Sequence, residues 1–260
     1  MRSFRTKIAL ALLPLLAAGI PATASAQTVK NIVLVHGAWV DGSGWKPVYD
    51  ILTRDGYHVT IVQEPLTALA DDVAATRRIL AQQDGPTILV AHSYGGSIIT
   101  EAGTDPHVAA LVYVAAHAPD VGENESALGK TMPSVTQRTP GAIVSTPDGF
   151  TYLRRDLFPS HFAADLPVAE ARFAAQSQVL TAASVFSTPM TVAAWKDKPS
   201  WAIVAAADQI INPDLERFYY KRAGSHVTEL QGASHSVYES RPKEVAAVIE
   251  QAAKHANDPK

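Results

Sequence analysis

Short runs of apolar residues recur along the chain and alternate with stretches of helical spacing. The runs are typical of strands buried on both faces, and they lie at residues 31–35, 59–62, 87–91, 108–115, 201–206 and, more weakly, 226–230. Apolar residues three and four positions apart predict helices at residues 45–54, 69–83, 97–103, 213–223 and 242–255. Strands that alternate with helices form βαβ units, so the pattern predicts an α/β fold with a mostly parallel sheet between helices.

One long segment, about residues 119–198, breaks this alternation. It is rich in Ala, Thr, Ser and Pro, and its large apolar residues are dispersed. A structureless loop of that length does not fit a compact domain, so we expect mostly helices that pack over one end of the sheet as a lid. The aromatic residues of the segment could line a pocket, although for most of them a small core within the lid is the simpler interpretation. They are Phe150, Tyr152, Phe158, Phe162, Phe173, Phe186 and Trp195.

The N-terminal segment has a different character from the rest. Basic residues precede an apolar run at residues 8–20, and the small residues 24–26 are typical of a cleavage site. Pro14 interrupts the run, which is shorter than the roughly 20 residues that a membrane-spanning helix needs. The pattern predicts a signal peptide cleaved near Gln27 and a mature domain at residues 27–260. We therefore expect a periplasmic or secreted protein that is free of the membrane.

The overall composition fits a single globular domain with a large core. Of the 260 residues, 47% are hydrophobic and 18% are charged. The formal net charge is -3, and lysines and arginines are scattered, which argues against a nucleic-acid partner. The absence of cysteine excludes disulfides and thiolate zinc ligands. No pattern calls for a metal or a cofactor, and the oligomeric state stays open.

The strongest local signal is the run AHSYGG at residues 91–96, between a predicted strand and a predicted helix. In a small-x-Ser-x-Gly turn the serine lies at a sharp bend, where its hydroxyl faces out at the carboxyl end of the sheet. Ala91 stands where glycine is more usual. The backbone N–H of Tyr94 would face a developing oxyanion. The run predicts Ser93 as a nucleophile for acyl transfer; a turn without chemistry is the alternative.

A serine nucleophile needs a base within reach and an acid behind that base. Asp208 and His235 each follow a predicted strand, at the same edge of the sheet as Ser93. Their order along the chain, Ser, Asp, His, is the one found in this type of strand–turn–helix arrangement. We predict that His235 is the general base and that Asp208 fixes its tautomer. Asp120 also follows a predicted strand and is the alternative acid.

The end of the first predicted strand carries a second group of candidates. In HGAW at residues 36–39, the glycine permits a tight turn that frees the Ala38 backbone N–H as a second oxyanion donor. His36 is expected to brace this loop. His92 is expected to point away from the Ser93 hydroxyl, and His117 to line or cover the lid. The predicted substrate-binding residues, each with packing as the alternative, are Trp39, Ser43, Phe158 and Trp195.

Several motifs occur together in this chain: HGAW at residues 36–39, GW at 44–45, AHSYGG at 91–96, Asp208, and ASH at 233–235. The combination resembles the esterase and hydroxynitrile-lyase branch of the α/β-hydrolases, and the resemblance extends over nearly the whole mature chain. It implies an α/β-hydrolase fold with a helical lid. It also implies cofactor-free hydrolysis of a small-molecule carboxylic ester through an acyl-enzyme.

One position departs from part of that branch. Plant hydroxynitrile lyases carry a lysine directly after the catalytic histidine, where this chain has Ser236, so lyase chemistry is less expected than ester hydrolysis. Haloalkane dehalogenases and epoxide hydrolases use an aspartate nucleophile at the position of Ser93, so neither activity is expected here. Two alternatives stay open, a perhydrolase of the metal-free haloperoxidase type and a hydrolase-like binding protein without turnover.

Overall fold

Nine strands and ten α-helices make up the part of the chain that the structure, a computed structural model, describes, residues 28–256. The predicted signal peptide lies outside these residues. The strands are β1 (Asn31–Val35), β2 (His58–Ile61), β3 (Thr87–Ser93), β4 (Val108–Ala116), β5 (Ile143–Ser145), β6 (Phe150–Leu153), β7 (Thr181–Ala182), β8 (Ser200–Ala205) and β9 (His226–Leu230). The helices are α1 (Lys46–Arg54), α2 (Leu69–Leu80), α3 (Gly95–Ala102), α4 (Glu125–Thr131), α5 (Val135–Arg138), α6 (Phe158–His161), α7 (Val168–Gln176), α8 (Pro213–Ala223), α9 (Val237–Ser240) and α10 (Pro242–His255).

Six of these strands form one sheet in the order β2-β1-β3-β4-β8-β9. Every neighbouring pair in it is parallel, and each predicted apolar run corresponds to one of its strands. The α/β prediction is therefore confirmed. Because all the strands run in the same direction, their carboxyl ends lie at a single edge, and the loops that follow them are brought together there.

Alternate side chains of the inner strands enter two separate cores, one on each face of the sheet. In β1, Ile32 and Leu34 face the core that contains Trp45 before α1 and Ile249 of α10. Their neighbours on the strand, Val33 among them, face the core that contains residues of α2, α3 and α8. Such two-sided burial explains why these strands are continuous apolar runs rather than alternating ones.

The segment at residues 119–198 covers the carboxyl edge of the sheet between β4 and β8. It contains the helices α4 to α7, but they are short and do not make up most of it, although a mostly helical lid was expected. It also contains the antiparallel sheet β5-β6-β7, which was not predicted. These strands have only three, four and two residues, too few for their own pattern to identify them. They depend on tertiary pairing, for example of Val144 with Tyr152.

Helix α8 begins close to the loop that carries Asp208, and local signals fix its start and end. Asn212 caps the helix by accepting a hydrogen bond from the Asp214 N–H, and Pro213 occupies the first turn. Gly224 ends the helix in the left-handed conformation, with a φ of +66°. The predicted bounds of this helix, residues 213–223, agree with the observed ones.

Candidate active site

Ser93 is the last residue of β3 and has a φ of +56°, in the left-handed region that a non-glycine residue rarely adopts. The turn from β3 into α3 is therefore tight, as expected where a nucleophile is presented at the end of a strand. Close packing enforces it. A Cβ on Gly37 would lie 2.6 Å from the Cβ of Ser93, and one on Gly96 would collide with the carbonyl oxygen of His117.

The structure brings Ser93, His235 and Asp208 into one chain of hydrogen bonds. The Ser93 hydroxyl lies 2.8 Å from His235 Nε2, and His235 Nδ1 lies 2.5 Å from Asp208 Oδ2. Nδ1–H donates to the carboxylate, which leaves Nε2 free to accept from the serine hydroxyl. All three residues are buried, and the imidazole is fully removed from solvent. The geometry is that of a nucleophile, a base and an orienting acid.

The carboxylate of Asp208 is fixed in place by its own loop. Its Oδ1 accepts the backbone N–H groups of Ile210 and Ile211, at 2.7 and 3.0 Å. Oδ2 is thereby aimed at His235. The loop follows β8, and His235 lies in the loop after β9, so the parallel sheet brings both side chains to the edge where β3 ends.

Glu216 of α8 lies next to Asp208, a position that was not predicted from the sequence. Its carboxyl accepts the backbone N–H of Ala205 at 3.0 Å and is completely buried. Burial, and after it the neighbouring Asp208 carboxylate, raise the pKa of Glu216 well above its usual range. The protonated form of Glu216 is therefore favoured next to the Asp208 carboxylate.

His92 supports His235 from below. Its Nε2–H donates to the carbonyl oxygen of His235 at 2.9 Å, and the two rings lie 4.5 Å apart. Burial, and next the proximity of His235, lower the pKa of His92 well below its usual range, so the ring is neutral. Phe162 contacts the other side of His235 edge-on, with centroids 4.6 Å apart. As expected, His92 does not approach the hydroxyl of Ser93.

Asp165, in the segment that covers the sheet, holds the loop before His235. Its carboxylate accepts hydrogen bonds from the side chain and the backbone N–H of Ser234, the latter at 3.3 Å. The N–H of Ser236 donates to the carbonyl oxygen of Phe162 at 2.9 Å. Neither Asp165 nor Phe162 could be assigned this contact from the sequence, since both lie about 70 residues away from the loop they hold.

The two residues predicted to supply oxyanion donors, Ala38 and Tyr94, lie close to Ser93. The N–H of Tyr94 is at the start of α3, and Ala38 lines the same cavity as Ser93. Within residues 28–256, neither backbone N–H is used in a hydrogen bond. The side chain of Tyr94 points away from the cavity and donates to Asp72 at 2.7 Å.

His36 braces the loop that carries Ala38. Its Nδ1–H donates to the carbonyl oxygen of Gly37 at 2.9 Å, and its Nε2 lies 2.6 Å from the Glu64 carboxylate. Burial alone lowers the pKa of His36, but the adjacent Glu64 outweighs burial and raises it above the usual value. The pair is removed from the cavity, so its role is structural.

Ser93 opens onto a cavity of about 140 Å³. This volume is close to the 150 Å³ or so that accommodates a benzene molecule in an engineered protein cavity. The lining combines apolar side chains, Trp39, Phe186 and Leu215 among them, with polar ones that include His117 and Glu125. Trp39 is the one predicted substrate-binding residue that lines this cavity.

The other three predicted substrate-binding residues do not line the cavity with Ser93. Ser43 is exposed in a neighbouring groove, because its backbone turns with Asp41 into a short 3₁₀ helix. Phe158 is fully buried and stacks on Phe162 with centroids 4.5 Å apart. Trp195 is also buried, and its Nε1–H donates to the carbonyl oxygen of Pro119 at 3.0 Å. For Phe158 and Trp195, the structure therefore agrees with the alternative to substrate binding, a role in packing.

Asp120, the alternative acid, is engaged elsewhere. Its carboxylate lies 2.5 Å from Lys196 Nζ and accepts the backbone N–H of Val121 at 2.6 Å. Both contacts are at the outer surface of the segment that covers the sheet. The imidazole of His235 pairs with Asp208 instead.

Residues 28–256 contain no group of three or more His, Asp and Glu side chains arranged to hold a metal ion. The acidic residues near the cavity are bound by hydroxyl, imidazole or backbone groups, as Asp208 and Glu125 are. Over the same range, every helix is too short or too polar to cross a bilayer.

Residues 32–248 match the family model described as "Alpha/beta hydrolase family". The chain is 24% identical to Esterase PIR7B of Oryza sativa subsp. japonica, over 86% of this chain and 96% of that protein. Among solved structures, the pyrethroid hydrolase PytH is similar with a TM-score of 0.73 and 23% identity, over 87% of this chain and 98% of that one. Polyneuridine aldehyde esterase also gives a TM-score of 0.73, with 16% identity over 86% of this chain and 99% of that one.

Proposed function

Because the chain belongs to the alpha/beta hydrolase family, we propose that it is a serine hydrolase that cleaves carboxylic esters of small molecules. The observation that carries the proposal is the unbroken hydrogen-bond chain from the Ser93 hydroxyl through His235 to Asp208, at the edge of a cavity. The names of the relatives, among them an esterase and a pyrethroid hydrolase, support an ester as the substrate.

Acylation begins when the Ser93 oxygen attacks the ester carbonyl and gives its proton to His235 Nε2. The imidazolium is stabilised by the Asp208 carboxylate, next to which the protonated form of Glu216 is favoured. The negative charge that develops on the carbonyl oxygen is met by the N–H groups of Ala38 and Tyr94. His235 then protonates the leaving alcohol, and an acyl-enzyme forms at Ser93.

Deacylation reverses the proton transfers. His235 takes a proton from a water molecule, the hydroxide attacks the acyl carbonyl, and the proton returns to Ser93 as the acid leaves. The edge-on contact of Phe162 and the carbonyl bond from His92 keep the imidazole in one orientation through both halves of the cycle.

Turnover of p-nitrophenyl esters, from acetate to dodecanoate, tests the proposal. The protein should prefer short acyl groups, because the cavity is close in volume to a single benzene molecule. Ser93→Ala should lower kcat/KM by about 10³-fold or more. Ser187→Ala is the matched control, because this serine is exposed and bonds only to the Ser184 carbonyl. Absence of turnover with every ester, together with saturable binding, would favour a binding protein.

The acyl-enzyme can be tested separately from turnover. A fluorophosphonate should add covalently to one residue, and peptide mass spectrometry should find the adduct at Ser93. The reaction should require His235, so His235→Ala should abolish labelling, whereas His107→Ala should not, because His107 pairs with Asp105 at the surface. Labelling at any other serine would contradict the assignment of the nucleophile.

We also propose that the enzyme is exported, on the basis of the basic, apolar and small-residue pattern of residues 1–26. Expression of the full chain in a bacterial host should yield a periplasmic or extracellular product whose N-terminus is Gln27. An unprocessed chain retained in the cytoplasm would contradict export.

A further inference from the structure

Glu125 is a buried carboxyl group inside the cavity that the mechanism does not use. It is the first residue of α4, its exposure is 5%, and it lines the cavity together with Ser93. A buried carboxyl group is costly unless it is paired or neutral. Within the described part of the chain, no lysine or arginine pairs with it, since its one ionisable partner is the imidazole of His117. Its presence in the cavity therefore calls for an explanation.

The contacts of Glu125 fit a neutral carboxylic acid. Oε1 accepts the Ser97 hydroxyl at 2.5 Å, and Oε2 lies 3.3 Å from His117 Nε2. A charge-assisted N–H···O bond is usually about 2.7–2.9 Å long, so the contact with His117 is too long for a strong ion pair. Burial raises the pKa of Glu125 to about 8, against the effect of the Ser97 bond. Burial, and then the proximity of His235, lower the pKa of His117 to about 3.

Two further polar residues line the cavity with Glu125, the half-buried Ser126 and the exposed Gln137. Among the described residues, no hydrogen bond uses the hydroxyl of Ser126 or the amide nitrogen of Gln137, whose oxygen accepts the Ser134 N–H. With the Oε2–H of Glu125, these residues offer three hydrogen-bond donors and no net charge. We refer to Glu125, Ser126 and Gln137 as the donor wall.

The donor wall lies within reach of a short substrate. Ser97, which donates to Glu125, lies in the first turn of α3, four residues after Ser93. The N–H of His117 donates to the Ser93 carbonyl oxygen at 3.1 Å. Glu125 and Ser93 line the same cavity, whose volume is about 140 Å³.

We propose that Glu125 is a specificity-determining residue, which recognises an uncharged hydrogen-bond acceptor, an ether or carbonyl oxygen, in the part of the ester that occupies the cavity. The inference rests on the proposed ester hydrolysis. An anionic substituent would be buried without a cation, since no lysine or arginine among residues 28–256 lines the cavity. A purely alkyl group would offer the buried carboxyl group of Glu125 no acceptor, which costs binding energy.

Matched pairs of esters, equal in shape and different in one atom, test the proposal. In the acyl series, p-nitrophenyl 3-methoxypropanoate is compared with p-nitrophenyl pentanoate. In the alcohol series, 2-methoxyethyl acetate is compared with butyl acetate. Each kcat/KM is divided by the rate of hydroxide-catalysed hydrolysis, which removes the intrinsic reactivity of the ester. The wild type should prefer the ether by about 10-fold in at least one series, since one good hydrogen bond is worth about that factor.

Three variants connect the preference to Glu125. Glu125→Gln keeps a neutral donor and should retain the preference, whereas Glu125→Met, which has a similar length and no donor, should bring the ratio close to one. Glu123→Gln is the matched control, because Glu123 pairs with Arg222 outside the cavity. Each ratio compares two substrates on one protein, so partial loss of folded enzyme cancels.

Several outcomes would overturn the proposal. They are a ratio near one in both series for the wild type, a ratio unaffected by Glu125→Met, and a preference for p-nitrophenyl 4-aminobutanoate that Glu125→Gln abolishes, which would mean a cation-binding carboxylate. If the wild type hydrolyses neither member of any pair, the proposed function fails with it. If it hydrolyses both members equally, ester hydrolysis stands and only the role of Glu125 is wrong.

Discussion

The central sheet and the segment at residues 119–198 are built differently, although both contribute to one cavity. The inner strands β1, β3, β4 and β8 are buried along nearly their whole length, and Ser93, Asp208 and His235 all lie at or just beyond strand ends of this sheet. The covering segment has strands of at most four residues and helices of at most nine. It supplies Glu125, Phe186 and other cavity walls.

The difference separates two tasks. Hydrogen-bond distances within the reacting group tolerate little change, and the sheet fixes them through many buried contacts that no single loop residue controls. Recognition of a substrate depends on wall residues that short elements present, and these residues can change without moving Ser93 or His235. Substitutions at the sheet edge should therefore abolish turnover, and substitutions in the covering segment should change its rate or its substrate preference.

The largest expected effect is that of Asp208→Asn, at the end of β8. The amide can hold His235 with the wrong ring nitrogen protonated, so kcat should fall by about 10³- to 10⁴-fold with the fold intact. Asp120→Asn is the matched control in the covering segment and should change kcat less than about 3-fold, since Asp120 binds Lys196. Steady-state kinetics with p-nitrophenyl acetate measures kcat for both variants. Comparable losses in the two variants would contradict the choice of acid.

Two glycines distinguish how the regions are packed. Gly96→Ala places a Cβ against the His117 carbonyl oxygen, and the backbone on both sides is buried, so the variant should lose about 3 kcal/mol or more of unfolding free energy. A Cβ at Gly149 would have no atom within 4 Å, so Gly149→Ala is disfavoured only by the φ of +88° at this position. It should lower the free energy of unfolding by about 1 kcal/mol. Urea denaturation gives both values. Equal costs would mean that the sheet edge is no more closely packed than the segment.

Glu125, at the contact between the two regions, should make stability depend on pH. Its pKa is raised to about 8, so the folded state holds one more proton than the unfolded state between the ordinary pKa of 4.5 and that value. The free energy of unfolding should therefore fall as the pH rises through this interval. The groups that face Glu125 are Ser97 and His117, and the hydroxyl of Tyr219 lies 3.2 Å from the other ring nitrogen of His117.

Glu125→Gln should remove this slope. Relative to the wild type, it should gain about 1 to 3 kcal/mol in unfolding free energy between pH 5 and pH 8. Glu123→Gln is again the control and should show no such gain, because Glu123 is paired with Arg222 and its pKa is lowered. Parallel pH profiles for wild type and Glu125→Gln would mean that the buried carboxyl is already ionised at pH 5.

The sheet was predictable because its signals are local. A strand buried on both faces is a continuous apolar run, as in β1, and the run AHSYGG is informative because it lies between such a strand and a helix. Asp208 and His235 could then be predicted to lie near Ser93, because parallel strands share one carboxyl edge. No comparable reasoning identifies β7, which has two residues and exists because β6 pairs with it.

The walls of the cavity were less predictable, because tertiary contacts rather than local sequence decide which side chains line them. Phe158 and Phe186 have similar sequence surroundings, yet one is buried in the lid core and the other lines the cavity. Glu125 looks like an ordinary first-turn residue of a surface helix, and only the position of Ser97, 28 residues earlier, makes it a buried acid. Glu216 was missed likewise, since an acidic residue in the first turn of α8 usually faces solvent.

A smaller effect is expected where the covering segment supports the sheet edge. Asp165→Asn weakens the two bonds to Ser234, directly before His235, and should lower kcat by about 10-fold with little change in KM. Asp148→Asn is the control, because Asp148 accepts only from Thr146 in an exposed turn of the same segment. If both variants keep full kcat, the loop of His235 is held by β9, His92 and Phe162 without help from Asp165.

The smallest expected effect is at Phe173 of α7, an aromatic residue that is 74% exposed. Phe173→Ala removes few contacts and should change the unfolding free energy by less than about 0.5 kcal/mol. Phe158→Ala, in the same segment, removes a fully buried ring stacked on Phe162 and should cost about 3 to 5 kcal/mol. Because Phe162 contacts His235, this second variant should also lower kcat. If Phe158→Ala destabilised the protein and left kcat unchanged, the segment would stabilise the fold without positioning the base, and its contribution to catalysis would be confined to the cavity walls.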